Sequence, residues 1–528
     1  MGGTTTGTGT LLRFMLRRER RGLPWWLVGV AFIVGYQSVG SQSLYDTPEK
    51  LARLRQTLGA NPAMLAMSGP EELLATIGGE VVFEIFSYAA VLVALMSMFL
   101  IGRHTRTDEE TGRAELIRSS CVGRDATLVA ALILAGLANA AVAVVTFAAT
   151  SLTGLPVAGS ALLALALAGV GLTFAGLAAV AAQIFENPRA VYAAVGGALG
   201  LAYLLRAAGD AGTEALSWLS PIGWGQQTLP YVGNRWWPLI LPALATVGLV
   251  ALAMTLMARR DFAAGFIRTR PGPPAAPASL RSPLGLAWRL HRASLIGWTI
   301  GLFVLGAAYG SFANSIEQFI ADNPQVADFF PGGVETIVDS YLTFTALFAA
   351  LLAAAYGVTS TLRARGEESA GRAEPVLATA TSRWSWLASH VTIAMVGTGV
   401  TLAAAGLGEG LTYAASVDDP AQVPRVMGIA LLYVPAVWAT VAVAVAGFGW
   451  LPRAAAAAAW LAVGFCAFIV IFGDAIDLPA WLTNASPFTH TPQYPLEPVT
   501  APPLLALIAT AALIAATGFH GFRRRDVT

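Results

Sequence analysis

The chain has 528 residues, of which 56% are hydrophobic and only 12% charged, with a mean hydropathy of +0.63. Soluble domains carry about a quarter charged residues, and no soluble core could hide this much apolar surface, so the bilayer must be the solvent. A net charge of only +1 argues against a nucleic-acid role, and Cys121 and Cys466, one in a loop and one in a span, match no disulfide or metal-site spacing.

The chain begins with a short basic amphipathic stretch. In Leu11-Leu12-Arg13-Phe14-Met15-Leu16-Arg17-Arg18, helical spacing sets the leucines and Met15 against most of the arginines, which predicts a helix lying in the membrane interface. A full-length span follows the arginine cluster, so the segment does not read as a cleaved signal peptide. Runs long enough to cross about 30 Å of hydrocarbon fall near 24–40, 81–101, 126–150, 157–183, 189–207 and 237–257. Pro271-Gly272-Pro273-Pro274-Ala275-Ala276-Pro277 then forms a semi-rigid joint, because proline fixes φ and lacks the N–H. Leu284 to Arg292, with Trp288, predicts a second, weaker interfacial stretch. Further spans fall near 294–313, 338–360, 384–406, 426–448, 453–476 and 501–521. The expected protein is an all-α integral membrane protein with about twelve transmembrane helices in two tandem six-helix repeats. The first repeat covers 1–270, the linker 271–281 and the second repeat 282–528.

With both termini in the cytoplasm, every basic residue lies on the cytoplasmic side except Lys50, Arg53, Arg55, Arg206, Arg235 and Arg425, as the positive-inside rule requires. Trp25, Trp26, Trp236, Trp237, Trp384 and Trp481 stand at span ends, where an interfacial aromatic belt belongs. The protein is therefore expected as a multi-pass plasma-membrane protein. Of its 32 basic residues only Lys50 is a lysine, and this, with the alanine and glycine load, points to a high-GC genome.

The two halves repeat one another. Gln56-x4-Asn61-Pro62 is echoed by Gln318-x4-Asn323-Pro324, Ser220-Pro221 by Ser486-Pro487, and Arg259-Arg260-Asp261 by Arg524-Arg525-Asp526. An even number of spans per half makes the repeat parallel, about an axis along the membrane normal, with room for a translocation path between the halves.

The chemistry of the chain is sparse. A phosphate-binding loop needs a lysine, and Lys50 lies in an outer loop without a glycine-rich run, so no nucleotide-hydrolysing site and no bound cofactor are expected here. His104, His291, His390, His490 and His520 are scattered and form no ligand pair at helical spacing. Glu84 is the foremost intramembrane acid, with Tyr88 one turn on, and the two are candidates for a substrate path. The position of Glu84 one turn below the outer boundary, beside Glu80, equally fits an acid of the outer interface. Asp339 and Asp474 read the same way, and no carboxylate falls at mid-depth.

The densest signal is a duplicated charged loop. Glu109-Glu110-Thr111-Gly112-Arg113-Ala114-Glu115 recurs as Glu367-Glu368-Ser369-Ala370-Gly371-Arg372-Ala373-Glu374, with Arg124 and Arg383 downstream of each at one offset. Helical spacing would put Glu109, Arg113 and Leu116 on one stripe and Glu110 and Ala114 on another. The motif resembles the cytoplasmic coupling segment of ABC-2 type exporter permeases, where an acidic R/E-E-x-G-x-x-E stretch follows the second span. In its twelve-span fused form the chain resembles the actinobacterial permeases that export polyketide antibiotics and other drugs. That resemblance implies two copies of a separate ATP-binding subunit, carrying ATP and Mg, docked on Glu109, Glu110, Gly112, Arg113 and Glu115 and on Glu367, Glu368, Gly371, Arg372 and Glu374. It also implies a hydrophobic or amphipathic cargo moved outward. Ala370 reads as a residue inserted before Gly371, and Pro375 stands for Leu116, so two unequal docks are expected.

The competing expectation is a proton-coupled drug transporter of the major facilitator class. Gly102 to Arg113 offers the glycine, Asp108 and Gly112-Arg113 of its loop pattern, but at the wrong spacing. The outer loop between the first two spans is also too long for that class.

Overall fold

The computed structural model describes residues 4–45, 47–59, 62–261, 264–267, 274–313, 337–473 and 478–526. The chain divides into two compact units, Met1–Gly272 and Pro273–Thr528.

The first unit opens with α1 (Thr8–Glu19) and α2 (Leu23–Leu44), followed by α3 (Pro48–Gly59) and the long α4 (Ile77–Gly102). A short α5 (Arg113–Arg118) precedes α6 (Ala126–Leu152), α7 (Val157–Ile184), α8 (Pro188–Ala211) and α9 (Ile240–Arg259). Two of them begin at a side-chain cap. The Thr76 hydroxyl accepts from the Gly79 amide at 3.0 Å before α4, and Asn187 accepts from the Ala190 amide at 2.8 Å with Pro188 in the first turn of α8. Inside hydrocarbon every backbone polar group must be satisfied within its own segment, so apolar runs of this length become helices. α4 and α7 form the centre, with Phe83, Phe86, Leu163, Leu167 and Phe174 all buried. α2 and α9 turn Phe32, Tyr36, Leu244 and Val247 outward, the apolar face that lipid covers.

The second unit holds α10 (Pro283–Ala313), α11 (Ile337–Ser369), α12 (Ala373–Leu377), α13 (Arg383–Val417), α14 (Gln422–Leu431), α15 (Val434–Trp450), α16 (Ala455–Phe472) and α17 (Ala501–Arg524). α11 runs through the middle. Leu342, Leu402, Tyr433 and Val437 build one core cluster, and Trp386, Phe448 and Phe522 another near the end where α17 stops. Between α10 and α13 the backbones touch: a Cβ at Gly306 would stand 2.0 Å from the Ala405 carbonyl oxygen.

Among the described residues eleven helices are long and apolar enough to cross a membrane, and α16 is a shorter twelfth, as expected of an all-α integral membrane protein of about twelve spans. The second interfacial stretch is corrected. Leu284 to Arg292 does not form a helix of its own but is the first third of α10. In the first unit Gly22 and Pro24 separate α1 from α2, whereas Ala293-Ser294 carries nothing that breaks a helix. The echo at Gln318, Asn323 and Pro324 lies outside the described residues, as do Asn61, Asp474 and linker residues 271–273.

Candidate functional site

The first charged loop grows directly out of α4. Beyond Gly102 the helix widens into a π-helical turn over Arg103–Thr107 and closes on Asp108–Glu110. Gly112 then adopts φ 72°, a left-handed conformation that a side chain would strain, and the chain restarts as α5. The second loop has the same ending: α11 stops at Ser369, Gly371 takes φ 68°, and α12 follows. In both copies the glycine amide returns to the carbonyl of the buried glutamate, Gly112 to Glu109 at 3.2 Å and Gly371 to Glu368 at 2.9 Å.

This geometry corrects the expected stripes. Because the chain reverses at Gly112, Glu109 and Arg113 belong to different helices and face different ways. Glu109 points inward. It accepts from Arg106 Nη1 at 2.7 Å and from Arg260 Nη2, beyond the end of α9, also at 2.7 Å. Arg106 has no exposed side-chain surface, and it also donates to the carbonyls of Ala182, Gln183 and Ala264. Glu368 does the same work in the second unit. It accepts from Arg365 Nη1 at 3.1 Å, from Arg525 Nη2 at 2.9 Å and from Arg525 Nη1. The Arg525 guanidinium also lies over the rings of Phe448 and Phe522, at 4.9 and 5.0 Å from their centroids.

The matching partners fix the register of the repeat. Arg106, Glu109 and Gly112 correspond to Arg365, Glu368 and Gly371 with one constant offset, so Ala370 is not an insertion; it stands opposite Thr111, and Ser369 opposite Glu110. Asp108 is then the counterpart of Glu367. Arg372 Nε donates to Glu367 at 2.8 Å, and Arg113 lies 3.7 Å from Asp108. The Glu-Glu pairs themselves, Glu109-Glu110 and Glu367-Glu368, are out of register by one residue. Pro375 does stand where the first copy has Leu116, and that difference between the loops remains.

Downstream, the two repeated arginines close the ends of the last helix of each half. Arg124 Nη2 donates to the carbonyls of Met257, Ala258 and Arg260 at 2.8, 2.9 and 2.9 Å. Arg383 Nη1 donates to those of Arg523 and Arg525 at 3.3 and 2.7 Å. A cation at a helix C-terminus satisfies orphan carbonyls and complements the dipole. Each loop thus grips the last span of its own half twice, through a carboxylate and through a carbonyl cap.

What remains exposed is a smaller set than the sequence indicated. Glu110, Arg113, Glu115 and Leu116 face outward in the first loop, and Arg372, Glu374 and Pro375 in the second. Glu109, Glu367 and Glu368 are turned into the fold.

α1 is stapled beside the first loop. Arg18 Nη1 reaches both oxygens of Asp108 at 2.8 Å, Arg103 Nη1 both oxygens of Glu19 at 2.9 Å, and His104 Nε2 donates to Glu19 at 2.9 Å. Burial raises the Glu19 carboxyl, but the His104 hydrogen bond and the Arg103 charge outweigh it, and the group titrates below its ordinary value of 4.5. A depressed carboxylate contributes stability that is present above that value and is lost as pH falls through the folded-state value. Acid unfolding of the detergent-solubilised chain, followed by intrinsic fluorescence, is therefore expected to begin below pH 4.5 and to flatten in Glu19→Gln. Identical acid profiles for the two proteins would remove Glu19 from this account.

Two groups missed in the sequence lie in the second unit. His291 Nε2 and His390 Nδ1 approach to 2.9 Å, and Ser360 Oγ sits 2.8 Å from His291 Nδ1. A separation of 99 residues hid the pair. Those nitrogens are occupied by one another and by the hydroxyl, and no cluster of three metal-ligating side chains occurs among the described residues. Glu409, on α13, is 2% exposed and accepts from Thr345 Oγ1 of α11; α13 extends eleven residues past the expected end of its span. In the first unit Glu84 is half-buried on α4, and Tyr88, one turn further, is 47% exposed.

Helices of this length and polarity, closed at one end by duplicated arginine–glutamate clamps, define a multi-pass membrane protein. The sequence model described as "Multidrug efflux system permease Rv1217c, C-terminal domain" matches residues 280–523. The chain is also 39% identical, over 532 aligned positions, to the multidrug efflux system permease protein Rv1217c of Mycobacterium tuberculosis, a match that covers all of this chain and 96% of that protein. The chain belongs to this family of multidrug efflux system permeases.

Proposed function

We propose that this chain is the membrane-spanning permease subunit of an ABC exporter, and that it moves hydrophobic or amphipathic compounds out of the cell. ATP hydrolysis takes place on two copies of a separate ATP-binding subunit, which carry ATP and Mg; this chain binds no cofactor of its own. The observation that carries the reading is the pair of loops. Each presents an exposed acidic and basic edge while its inner glutamate is clamped to the last helix of the same half. A load applied to either edge is passed to a span, which is what a coupling element requires. Glu110, Arg113 and Glu115 form one dock, and Arg372 and Glu374 the other. Glu109, Gly112, Glu367, Glu368 and Gly371 hold those docks in shape. With Lys50 as the sole lysine, a phosphate-binding loop has no candidate in this chain, which fits the division of labour.

On this reading the loops and both termini lie in the cytoplasm of a high-GC actinobacterium. Glu84 and Tyr88 on α4 then stand near the outer surface, beside the cargo's route.

Reversing charge at three exposed positions tests the docks: Glu110→Arg, Glu115→Arg and Glu374→Arg together. Co-purification of the ATPase subunit is expected to be lost, with the permease still inserted at wild-type level. Unchanged co-purification together with unchanged ATP-driven efflux would overturn the proposal. Efflux abolished by a proton uncoupler but indifferent to loss of any ATPase would favour a proton-coupled carrier instead.

A further inference from the structure

The second unit contains a cavity of about 320 Å³ between α15, α16 and α17, on the side away from the charged loops. Its walls are apolar, with Phe465 and Cys466 on α16 facing Thr440 on α15 and Thr510 on α17. Asn484 and His490 line its outer end. The size is at the lower end of pockets that hold drug-sized molecules, roughly 300–1,000 Å³.

The polar groups are few and set at one end. His490 Nε2 donates to the Asn484 carbonyl at 2.8 Å, while the Asn484 side-chain amide and the Thr510 hydroxyl, both on exposed residues at the mouth, make no hydrogen bond among the described residues. Among the described residues no charged side chain lines the space. A cation or anion placed here would be desolvated without a partner, which is costly. A neutral molecule with a flat apolar body and a hydrogen-bonding end meets the apolar walls and the free amide together.

One wall also belongs to the helix that leads to the second charged loop. α15 and α17 run parallel and their backbones touch at one place, where a Cβ at Gly449 would stand 2.0 Å from the Gly518 carbonyl oxygen. Further from the loops the cavity lies beside Thr440 and Thr510. α17 therefore forms a cavity wall at Thr510, crosses α15 at Gly518 and leads into Arg525, which Glu368 holds. The distance from Thr510 to Arg525 is about 22 Å of helix at 1.5 Å per residue. A static lipid chain would have no use for a wall clamped at its far end to a charged loop; a transported molecule would.

We propose that this cavity is a cargo-holding site for neutral amphipathic molecules, with Asn484 and Thr510 engaging the polar end and Phe465 the apolar body. The proposal rests on the permease reading but requires neither ATP nor a partner subunit.

Cys466 supplies the readout. In the full-length Cys121→Ser chain it is the one remaining thiol. Reconstituted in lipid nanodiscs, its alkylation by N-ethylmaleimide is expected to slow about tenfold with Nile red, a neutral aromatic amphipath, at ten times its dissociation constant. Ala462→Trp, which fills the cavity from α16, is expected to abolish saturable Nile red binding while leaving the yield of folded protein unchanged. Three results would overturn the site: an alkylation rate indifferent to the dye, wild-type dye affinity in Ala462→Trp, or protection by bilayer lipid alone to which the dye adds nothing. Intact protection without ATP-driven efflux would instead overturn the exporter reading and leave the site standing.

Discussion

Glu109→Ala is expected to destabilise the first unit by about 3–5 kcal/mol, the usual cost of removing one member of a buried ion pair. The reason lies in Arg106, whose side chain is fully buried and pairs with Glu109 at 2.7 Å. Its carbonyl contacts satisfy hydrogen bonds but neutralise no charge. Arg260, only 8% exposed, would lose the same partner. Two desolvated cations would then face one another across the vacated position. Glu368→Ala is expected to act in the same direction in the second unit, because Arg365 and Arg525 converge there on one side chain. Thermal unfolding in detergent reads the effect. Glu110→Ala, one residue away and exposed, serves as the control and should stay within about 0.5 kcal/mol. Equal melting temperatures for the two alanine variants would show that the clamp does not hold the loop.

Gly310→Val is the second large effect. α10 and α13 cross so closely that a Cβ at Gly310 would stand 2.0 Å from the Glu409 carbonyl oxygen, and one at Gly408 2.1 Å from that of Phe303. These contacts are backbone to backbone, and no side chain can swing aside to relieve them. Small residues permit such contact between helices in lipid, where van der Waals packing replaces the hydrophobic drive. Overpacking a tight core costs about 1–3 kcal/mol, and this site lies at or above the upper end because the whole helix must retreat. Valine is expected to abolish recovery of monodisperse protein. Gly297→Val, on the same helix with open space around it, is expected to purify normally. Normal recovery of both variants would contradict the crossing.

Much of the architecture follows from composition and period. Lipid leaves the backbone no partner but itself, so a long apolar run must be a helix, and span limits read from hydropathy fall within a few residues of α6, α7 and α9. Errors arose where polarity and function diverged. Glu409 lies beyond the expected end of its span at 406 and belongs to the last third of a helix. Leu284 to Arg292 looked like an interfacial copy and is continuous with its span, since no residue there interrupts the hydrogen-bond ladder.

The candidate site shows the same division. The sequence by itself determined that two loops of matched charge exist, that each follows a second span, and that arginines recur beyond them. Those facts depend on residue order alone. Only the tertiary structure decided which charges are available. Arg260 reaches Glu109 across 151 residues and Arg525 reaches Glu368 across 157, and no local pattern announces a pair that distant. Folding therefore withdrew Glu109, Glu367 and Glu368 into the protein, left Glu110, Glu115 and Glu374 outside, and replaced an apparent insertion at Ala370 with an exact repeat. The physical reason is desolvation: a buried arginine draws in whichever carboxylate it can reach, and which one that is depends on three-dimensional proximity.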